Sequence, residues 1–375
     1  MNITDSILKY EEKAIFSLRN LYEQYGYKKY KMSKFEEYDL YLENKSFLPS
    51  QQVITFTDLS GKLMALKPDV TLSIAKNASS NPSETEKLYY NENVYRTPHG
   101  SNEYREIMQV GLECLGDVDL YTQCEVILLA CKSLQKLSDE SLMVVSHLGF
   151  VSGMLESCGL SRSLEEKILK CIGHKNAHEI IRLCEASNVS VSICDSLVAL
   201  TSLYGSFPET LDRAEELIRN EKMREALEQL RELAGVLSAE PECSCMKLDF
   251  SVINDLSYYN GLIFQGFIGG VPTAILSGGR YDNLMEKLGK KTKAIGFAVY
   301  ADQLERSNQE LDRFDVDVLL LYEANSDVSK LTAAVKMLTA NGTRVRIQKT
   351  KSDRLRYRQL LRLSDGGLEI LETND

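Results

Sequence analysis

The 375-residue chain carries 44 Lys and Arg against 54 Asp and Glu, a formal net charge of −10, with 43% hydrophobic and 26% charged residues. This is the composition of an ordinary globular chain long enough for two or three domains. It has no apolar run near the roughly 20 residues that span a bilayer and no signal-peptide core in Met1–Tyr10, its acidic total weighs against a broad nucleic-acid footprint, and its nine scattered cysteines suit a reducing cytoplasm.

In chain order, Ile7, Leu8, Ala14, Ile15, Leu18, Leu21 and Tyr22 recur at helical spacing within Ser6–Tyr25, and Gly26 ends the pattern. Tyr27–Leu40 reads as strand and loop. Gln51–Thr57 and Lys62–Leu66 read as strands around an Asp58-Leu59-Ser60-Gly61 turn. In Leu66-Lys67-Pro68-Asp69-Val70-Thr71 the proline extends Lys67 and opens a helix. Asp69 and Thr71 then lie at a helix N-terminus, where position alone makes them caps.

Lys87–Gly116 predicts two strands joined by the polar loop Thr97–Tyr104, which holds Pro98, Gly100 and Asn102. Because side chains alternate along a strand, Met108, Val110, Leu112 and Cys114 share an apolar face. Arg105, Ile107, Gln109, Gly111 and Glu113 share the other. Gly111 sits between Gln109 and Glu113, about 7 Å from each at the strand rise. Two readings stay open: the solvated face of an antiparallel strand, or a floor with a polar post at each end for a small zwitterion.

Asp117–Leu137 predicts a helix and Leu142–Val145 a strand, with a turn at His147-Leu148-Gly149-Phe150. Leu155–Glu240 is nearly all helical pattern and reads as an insertion between two halves of a sheet. Cys171-x-x-His174-x-x-x-His178 approaches metal spacing but has no fourth ligand in sequence except Cys184, and Cys243-Ser244-Cys245 has no second pair, so no metal is expected. Lys247–Ala274 returns to strand pattern. Tyr258 and Tyr259 offer a flat wall and hydroxyls, but strand neighbours point apart. Both face one pocket only if Asn260-Gly261 makes a bulge or turn. In Ser277-Gly278-Gly279-Arg280-Tyr281-Asp282 the glycines let backbone approach a ligand. Ala294–Val299 reads as a strand running into a helix at Ala301–Arg306. Asp315–Tyr322 reads as a strand, Val328–Ala340 as a helix stopped by Asn341-Gly342, and Arg344–Gln348 as a strand. Arg344, Arg346, Lys349, Lys351, Arg354, Arg356, Arg358 and Arg362 face only Asp353 in their span. That cluster is a solvated face, a nucleic-acid patch or a docking surface for an acidic partner.

These motifs carry a resemblance. Tyr95-Arg96, the loop, and Arg105-Glu106-Ile107-Met108-Gln109-Val110-Gly111-Leu112-Glu113 resemble motif 2 of the class II aminoacyl-tRNA synthetases, most closely the histidyl enzyme. Pro68-Asp69-Val70-Thr71 is similar to its Arg-Pro-Glu-x-Thr, with the acid one methylene shorter. Tyr258-Tyr259-Asn260-Gly261 and Phe264 match its Arg-Gly-Leu-Asp-Tyr-Tyr-x-Gly-x-x-Phe motif, Gly278–Asp282 its Gly-Gly-Arg-Tyr-Asp, and Ala294–Val299 its motif 3 strand. The resemblance implies an α+β fold, a class II synthetase-like antiparallel sheet flanked by helices. This domain would span 1–150 and 241–310, with a helical insertion over 151–240 and a small α/β C-terminal domain over 311–375. It also implies a dimer through Tyr27–Leu40, although the usual proline there is Ser33. The segment after Arg313 looks too short for a complete anticodon-binding domain, so tRNA is not an expected partner.

The implied histidine-binding residues are Asp69, Thr71, Arg96, Gln109, Glu113, Tyr258 and Tyr259. Asp69 would hold the amino group and the tyrosines the imidazole. Of three arginines that grip ATP in the family, one is kept as Arg96 and two fall on Asn254 and Gln303. Arginine suits that task because its fork pairs phosphate oxygens and never deprotonates. Losing one electrostatic catalytic contact costs about 2.7–4 kcal/mol. The expectation is therefore no catalytic residues and no cofactor, as in the non-catalytic paralogues of histidyl-tRNA synthetase. Those are the regulatory subunits of ATP phosphoribosyltransferase in histidine biosynthesis, which partner a short-form catalytic subunit and mediate feedback by histidine. The alternative is a divergent histidyl-tRNA synthetase or an ATP-dependent synthetase-like ligase.

Overall fold

The computed structural model of the chain describes residues 8–44, 47, 53–81, 84–97, 103–253, 258–304, 314–323, 325–340, 342–352, 354–364 and 367–374. Its strands are β1 (Lys28–Lys29), β2 (Phe35–Glu37), β3 (Thr55–Thr57), β4 (Leu63–Leu66), β5 (Glu86–Arg96), β6 (Arg105–Gly116), β7 (Ser141–His147), β8 (Tyr204–Gly205), β9 (Met246–Asp249), β10 (Leu262–Ile268), β11 (Leu276–Arg280), β12 (Lys293–Tyr300), β13 (Val316–Leu321), β14 (Val345–Gln348), β15 (Tyr357–Ser364) and β16 (Gly367–Thr373). Two compact units divide the chain: Ala14–Gln303, and Met1–Lys13 with Leu304–Asp375.

The larger unit is organised by a nine-stranded sheet in the order β1-β5-β6-β12-β11-β10-β7-β9-β8. Its middle, from β5 to β7, is antiparallel throughout. Parallel pairs join β1 to β5 and β9 to β7. The β5–β6 hairpin runs in continuous register from Glu86↔Leu115 to Arg96↔Arg105, as the alternation of Lys87–Gly116 predicts. On one face the helix Leu120–Leu137 buries Val126, Ile127, Leu129, Ala130 and Leu134 completely. Asp119 caps this helix by accepting from the Thr122 N–H at 2.8 Å. Tyr22, from the helix Tyr10–Gln24, packs edge-on against Phe297 of β12 at 5.9 Å.

The opposite face of the hairpin meets the helix Thr71–Asn77, whose Leu72, Ile74 and Ala75 join Tyr90, Val94, Leu115 and Tyr281 in one apolar cluster. Lys290 closes the end of that helix, donating to the Lys76 and Ala78 carbonyls at 2.8 and 2.5 Å. A cation there satisfies carbonyls that the helix leaves unpaired. The strands β2, β4 and β3 form a separate small sheet in that order.

The helical pattern after β7 resolves into Leu148–Cys158, Arg162–Gly173, Ala177–Ala186, Val191–Thr201, Phe207–Glu215 and Glu221–Leu237. Side chains of Asn176, Ser190 and Asn220 accept from the third N–H beyond them and start three of these helices. The expected turn at His147–Phe150 is instead a strand running directly into a helix. His147 ends β7, and its Nδ1 accepts from the Gly149 N–H at 3.2 Å, so the side chain does the work of a cap. Tyr27–Leu40 contains β1 and β2 and then enters the helix Tyr38–Glu43. After β12 the described residues show a 3-10 turn at Ala301–Gln303, and residues 305 and 306 of the expected helix lie outside them.

In the second unit β13 lies between β14 and β15, parallel to both, and β16 returns antiparallel to β15. The helix Val328–Thr339 sets Leu331 against Val318, Leu320 and Leu361. The β15–β16 hairpin is an addition to the sequence reading, which stopped at Gln348. Three of the eight basic residues of the cluster there pair with acids outside its own span. Arg344 bonds Asp317 at 3.3 Å, Arg356 bonds Asp315 at 3.0 Å and Lys351 bonds Glu372 at 2.6 Å. These are exposed pairs of small individual worth.

No helix among the described residues is long and apolar enough to cross a membrane. None of their His, Cys, Asp and Glu side chains gathers into a group of three that could hold a metal. His174 and His178 are exposed, and His174 Nδ1 pairs with the Lys170 carbonyl at 2.7 Å. Cys243 and Cys245 have a third thiol beside them, Cys131 of the helix under the sheet.

Glycine at position 278 is required by β11. A Cβ there would lie 2.4 Å from Phe297 Cβ and 2.5 Å from the Gly296 carbonyl oxygen. Gly278→Ala is therefore expected to destabilise the protein by about 1–3 kcal/mol, the usual range for overpacking. A fall in the urea midpoint without a change in slope checks this.

Candidate functional site

β6 carries Gln109, Gly111 and Glu113 on the face turned to the helix Thr71–Asn77, and that face is not solvated. Gln109 is 3% exposed and Glu113 2%. Nor is Gly111 a bare floor. Its cross-strand partner is Tyr90, and a Cβ on Gly111 would come within 2.6 Å of the Tyr90 ring and hydroxyl. The missing side chain makes room for a tyrosine to lie across the strand, so the floor is aromatic.

Glu113 is the centre of the site. Thr71 Oγ1 donates to its Oε1 at 2.6 Å, and Tyr281 Oη donates to its Oε2 at 2.7 Å. The Tyr90 hydroxyl bonds it as well. Gly296 of β12 leaves space for the carboxyl, since a Cβ there would overlap Oε2 at 1.8 Å. Burial pushes the Glu113 pKa up to about 8, against the pull of these hydroxyls; the nearby Asp69 adds to the rise.

Asp69 does two things. Its Oδ1 accepts from the Leu72 N–H at 2.8 Å, which is the capping role its position predicts. Its Oδ2 lies 3.6 Å from Arg96 Nη2. Burial raises its pKa, and the Arg96 charge works against that rise. Arg96 is itself held by an Nε donation to the Pro68 carbonyl at 2.7 Å. Beneath this loop Lys67 is fully buried and paired with Glu92, and the Tyr95 N–H donates to the Lys67 carbonyl at 3.0 Å. The extended residue before Pro68 is thus tied to the strand that carries Arg96.

Tyr258 and Tyr259 both reach the site because they precede β10 rather than lie within it. The Asn260 N–H donates to the Arg280 carbonyl at 3.0 Å, which fixes the turn. The two rings are 4.8 Å apart at 62°, and Tyr258 also meets Tyr281 at 5.9 Å and Phe47 at 6.0 Å. Gly279 gives Tyr259 its place, since a Cβ there would lie 2.7 Å from the ring. Asp69, Thr71, Arg96, Gln109, Glu113, Tyr258 and Tyr259 line one cavity of about 620 Å³ measured out to its mouth. Sequence reasoning missed Tyr90, Tyr281 and Tyr300, which line it too. Tyr281 stands in the Gly-Gly-Arg-Tyr-Asp motif already noted, but the glycines drew attention away from it.

Comparison with known proteins places this arrangement. A profile of the histidyl-tRNA synthetase family matches residues 5–304. The chain belongs to the histidyl-tRNA synthetase family. Within that family it is 30% identical over 321 residues to an ATP phosphoribosyltransferase regulatory subunit from Clostridium kluyveri, covering 81% of each chain. The fold matches the crystal structure of an ATP phosphoribosyltransferase regulatory subunit/histidyl-tRNA synthetase from Bacillus halodurans, with a TM-score of 0.72, 24% identity, and 94% and 93% of the two chains covered. It also matches a chain of the ATP phosphoribosyl transferase (HisG:HisZ) complex from Thermotoga maritima, with a TM-score of 0.62, 18% identity, and 78% and 97% covered.

Arg96 is the one Lys or Arg among the described residues lining the cavity. Gln303, at the motif 3 arginine position, turns its Oε1 to Thr273 Oγ1 at 2.9 Å. Asn254 lies outside the described residues.

The raised Glu113 pKa fixes a sign for stability. A carboxyl whose pKa is higher folded than unfolded stabilises the fold below its unfolded value, and that contribution is lost as pH rises toward about 8. Glu113→Gln should remove this loss. Relative to the wild type, the variant should therefore gain stability between pH 5 and pH 8, as read from urea melts at both values.

Proposed function

We propose that this chain is a regulatory subunit of ATP phosphoribosyltransferase that binds free histidine and performs no chemistry of its own. It would assemble with a short-form catalytic subunit in the cytoplasm, as part of a complex containing a dimer of this chain, and would convey feedback by histidine. The observation that supports this most is the asymmetry of one cavity. The residues for an imidazole-bearing amino acid converge there, while among the described lining residues Arg96 is the one Lys or Arg that could grip a triphosphate.

The geometry suits each part of that ligand. Asp69 offers a carboxylate to the α-ammonium group, and Arg96 stands beside it for the ligand carboxylate. Glu113 already takes hydroxyl donors on both oxygens, yet a carboxylate has about four lone-pair sites. It keeps acceptor capacity for an imidazole N–H, between the walls of Tyr258, Tyr259 and Tyr90. Feedback then requires histidine affinities that differ between active and inactive complexes, by a coupling of about 1–3 kcal/mol.

Calorimetry with free histidine tests the reading. Saturable binding is expected, weakened at least about tenfold in Glu113→Gln with near-UV circular dichroism unchanged. Adding the chain to a short-form phosphoribosyltransferase should raise its activity, and histidine should lower it again. Histidine-dependent ATP–pyrophosphate exchange by the purified chain would overturn the proposal and make it a synthetase.

Binding should also release protons near neutral pH. Glu113 is mostly protonated below about 8 in the free site, and an imidazole N–H donor favours its charged form. The heat of binding should therefore vary with the ionisation enthalpy of the buffer, and that variation should shrink in Glu113→Gln.

A further inference from the structure

Behind the tyrosine wall lies a second cavity, of about 580 Å³ measured out to its mouth. The end of β7, the helix Glu221–Leu237 and the turn at Asn260-Gly261 enclose it, with Arg280 and Asp282 on the near side. None of the histidine-site residues lines it.

Its polar groups are bonded among themselves and to neighbouring backbone. The Gly149 N–H donates to His147 Nδ1 at 3.2 Å, so the neutral ring carries its proton on Nε2. Burial keeps that imidazole neutral, with a pKa lowered to about 4. Nε2–H then donates to Gln229 Oε1 at 3.2 Å. Asn260 Oδ1 accepts from the Asp282 N–H at 2.9 Å. Asp282 Oδ2 takes both Nε and Nη2 of Arg280 at 2.7 Å, and its Oδ1 takes the Ala294 N–H at 3.1 Å. Three NH₂ groups of the lining take no part in these bonds: Gln229 Nε2, Asn260 Nδ2 and Arg280 Nη1, with the exposed Glu225 carboxylate also on the lining.

Both cations of the lining are paired, Arg280 with Asp282 and Lys222 with Glu156 outside it, so neither offers a free charge. The selectivity of the cavity therefore comes from the direction of its donors. A set of N–H groups, one of them from a guanidinium, can pair the oxygens of an oxyanion.

We propose that this cavity is a second ligand site, which takes a small molecule by a carboxylate or phosphate group on Arg280 Nη1, Asn260 Nδ2 and Gln229 Nε2. The site is independent of the histidine pocket, and its occupancy does not depend on that reading being right.

Inorganic phosphate and succinate, each titrated by calorimetry into the full chain at constant ionic strength, test it. Saturable binding of phosphate alone assigns a phosphate-bearing ligand, and of succinate alone a carboxylate; either supports the site. Gln229→Glu and Asn260→Asp are isosteric, and each keeps the oxygen that serves the internal bond while turning a free donor into an acidic acceptor. Each should weaken the bound probe at least about tenfold, with histidine binding retained. No saturable heat with either probe, or unchanged affinity in either variant that keeps its near-UV circular dichroism, would overturn the proposal.

Discussion

The carboxyl of Glu113 joins four pieces of chain that are far apart in sequence. It leaves β6, takes the Thr71 hydroxyl from the start of a helix and the Tyr281 hydroxyl from the end of β11, and occupies the space that Gly296 opens on β12. A buried carboxyl without donors would be expensive. With three hydroxyls around it the group is satisfied, and each hydroxyl in turn is aimed by it. The cavity is therefore a consequence of one acid's hydrogen-bonding needs. The tyrosines that form its walls are placed either by bonding to that acid, as with Tyr90 and Tyr281, or by packing on a ring that does, as with Tyr258.

Asp69 and Glu113 are buried in one site, with the Arg96 charge offsetting the burial of the first and hydroxyl donors that of the second. Burial is the first cause of the raised pKa at both acids, and the charge of Asp69 adds to the rise at Glu113. An amino acid supplies a cationic amine and an N–H donor to these groups at once. A ligand that brings both, as the proposed function requires, would relieve the cost of that burial.

Much of this was legible from residue order. The Lys87–Gly116 hairpin, the helical stretch and the grouping of the seven site residues follow from alternation, helical period and a family pattern. What was not legible depends on cross-strand partners and on distant contacts. Gly111 signals an absent side chain, but only the register with Tyr90 says what fills the gap. The basic run near the C-terminus hid three of its ion pairs because the acids, Asp315, Asp317 and Glu372, lie outside it in sequence. The β15–β16 hairpin was hidden because the charges that alternate along β15 resemble a solvated face. Cys131 escaped notice because its partners, Cys243 and Cys245, lie on the far side of the helical stretch.

Arg280 and Tyr281 are neighbours in the chain, yet the first reaches one hollow and the second the other. A single peptide unit is thus a party wall between two rooms. Sequence drift on one side cannot be absorbed without being felt on the other, because turning that peptide to suit Arg280 would swing the Tyr281 hydroxyl off Glu113. Pairs of changes, one in each hollow, are the expected currency of divergence at this point in the fold.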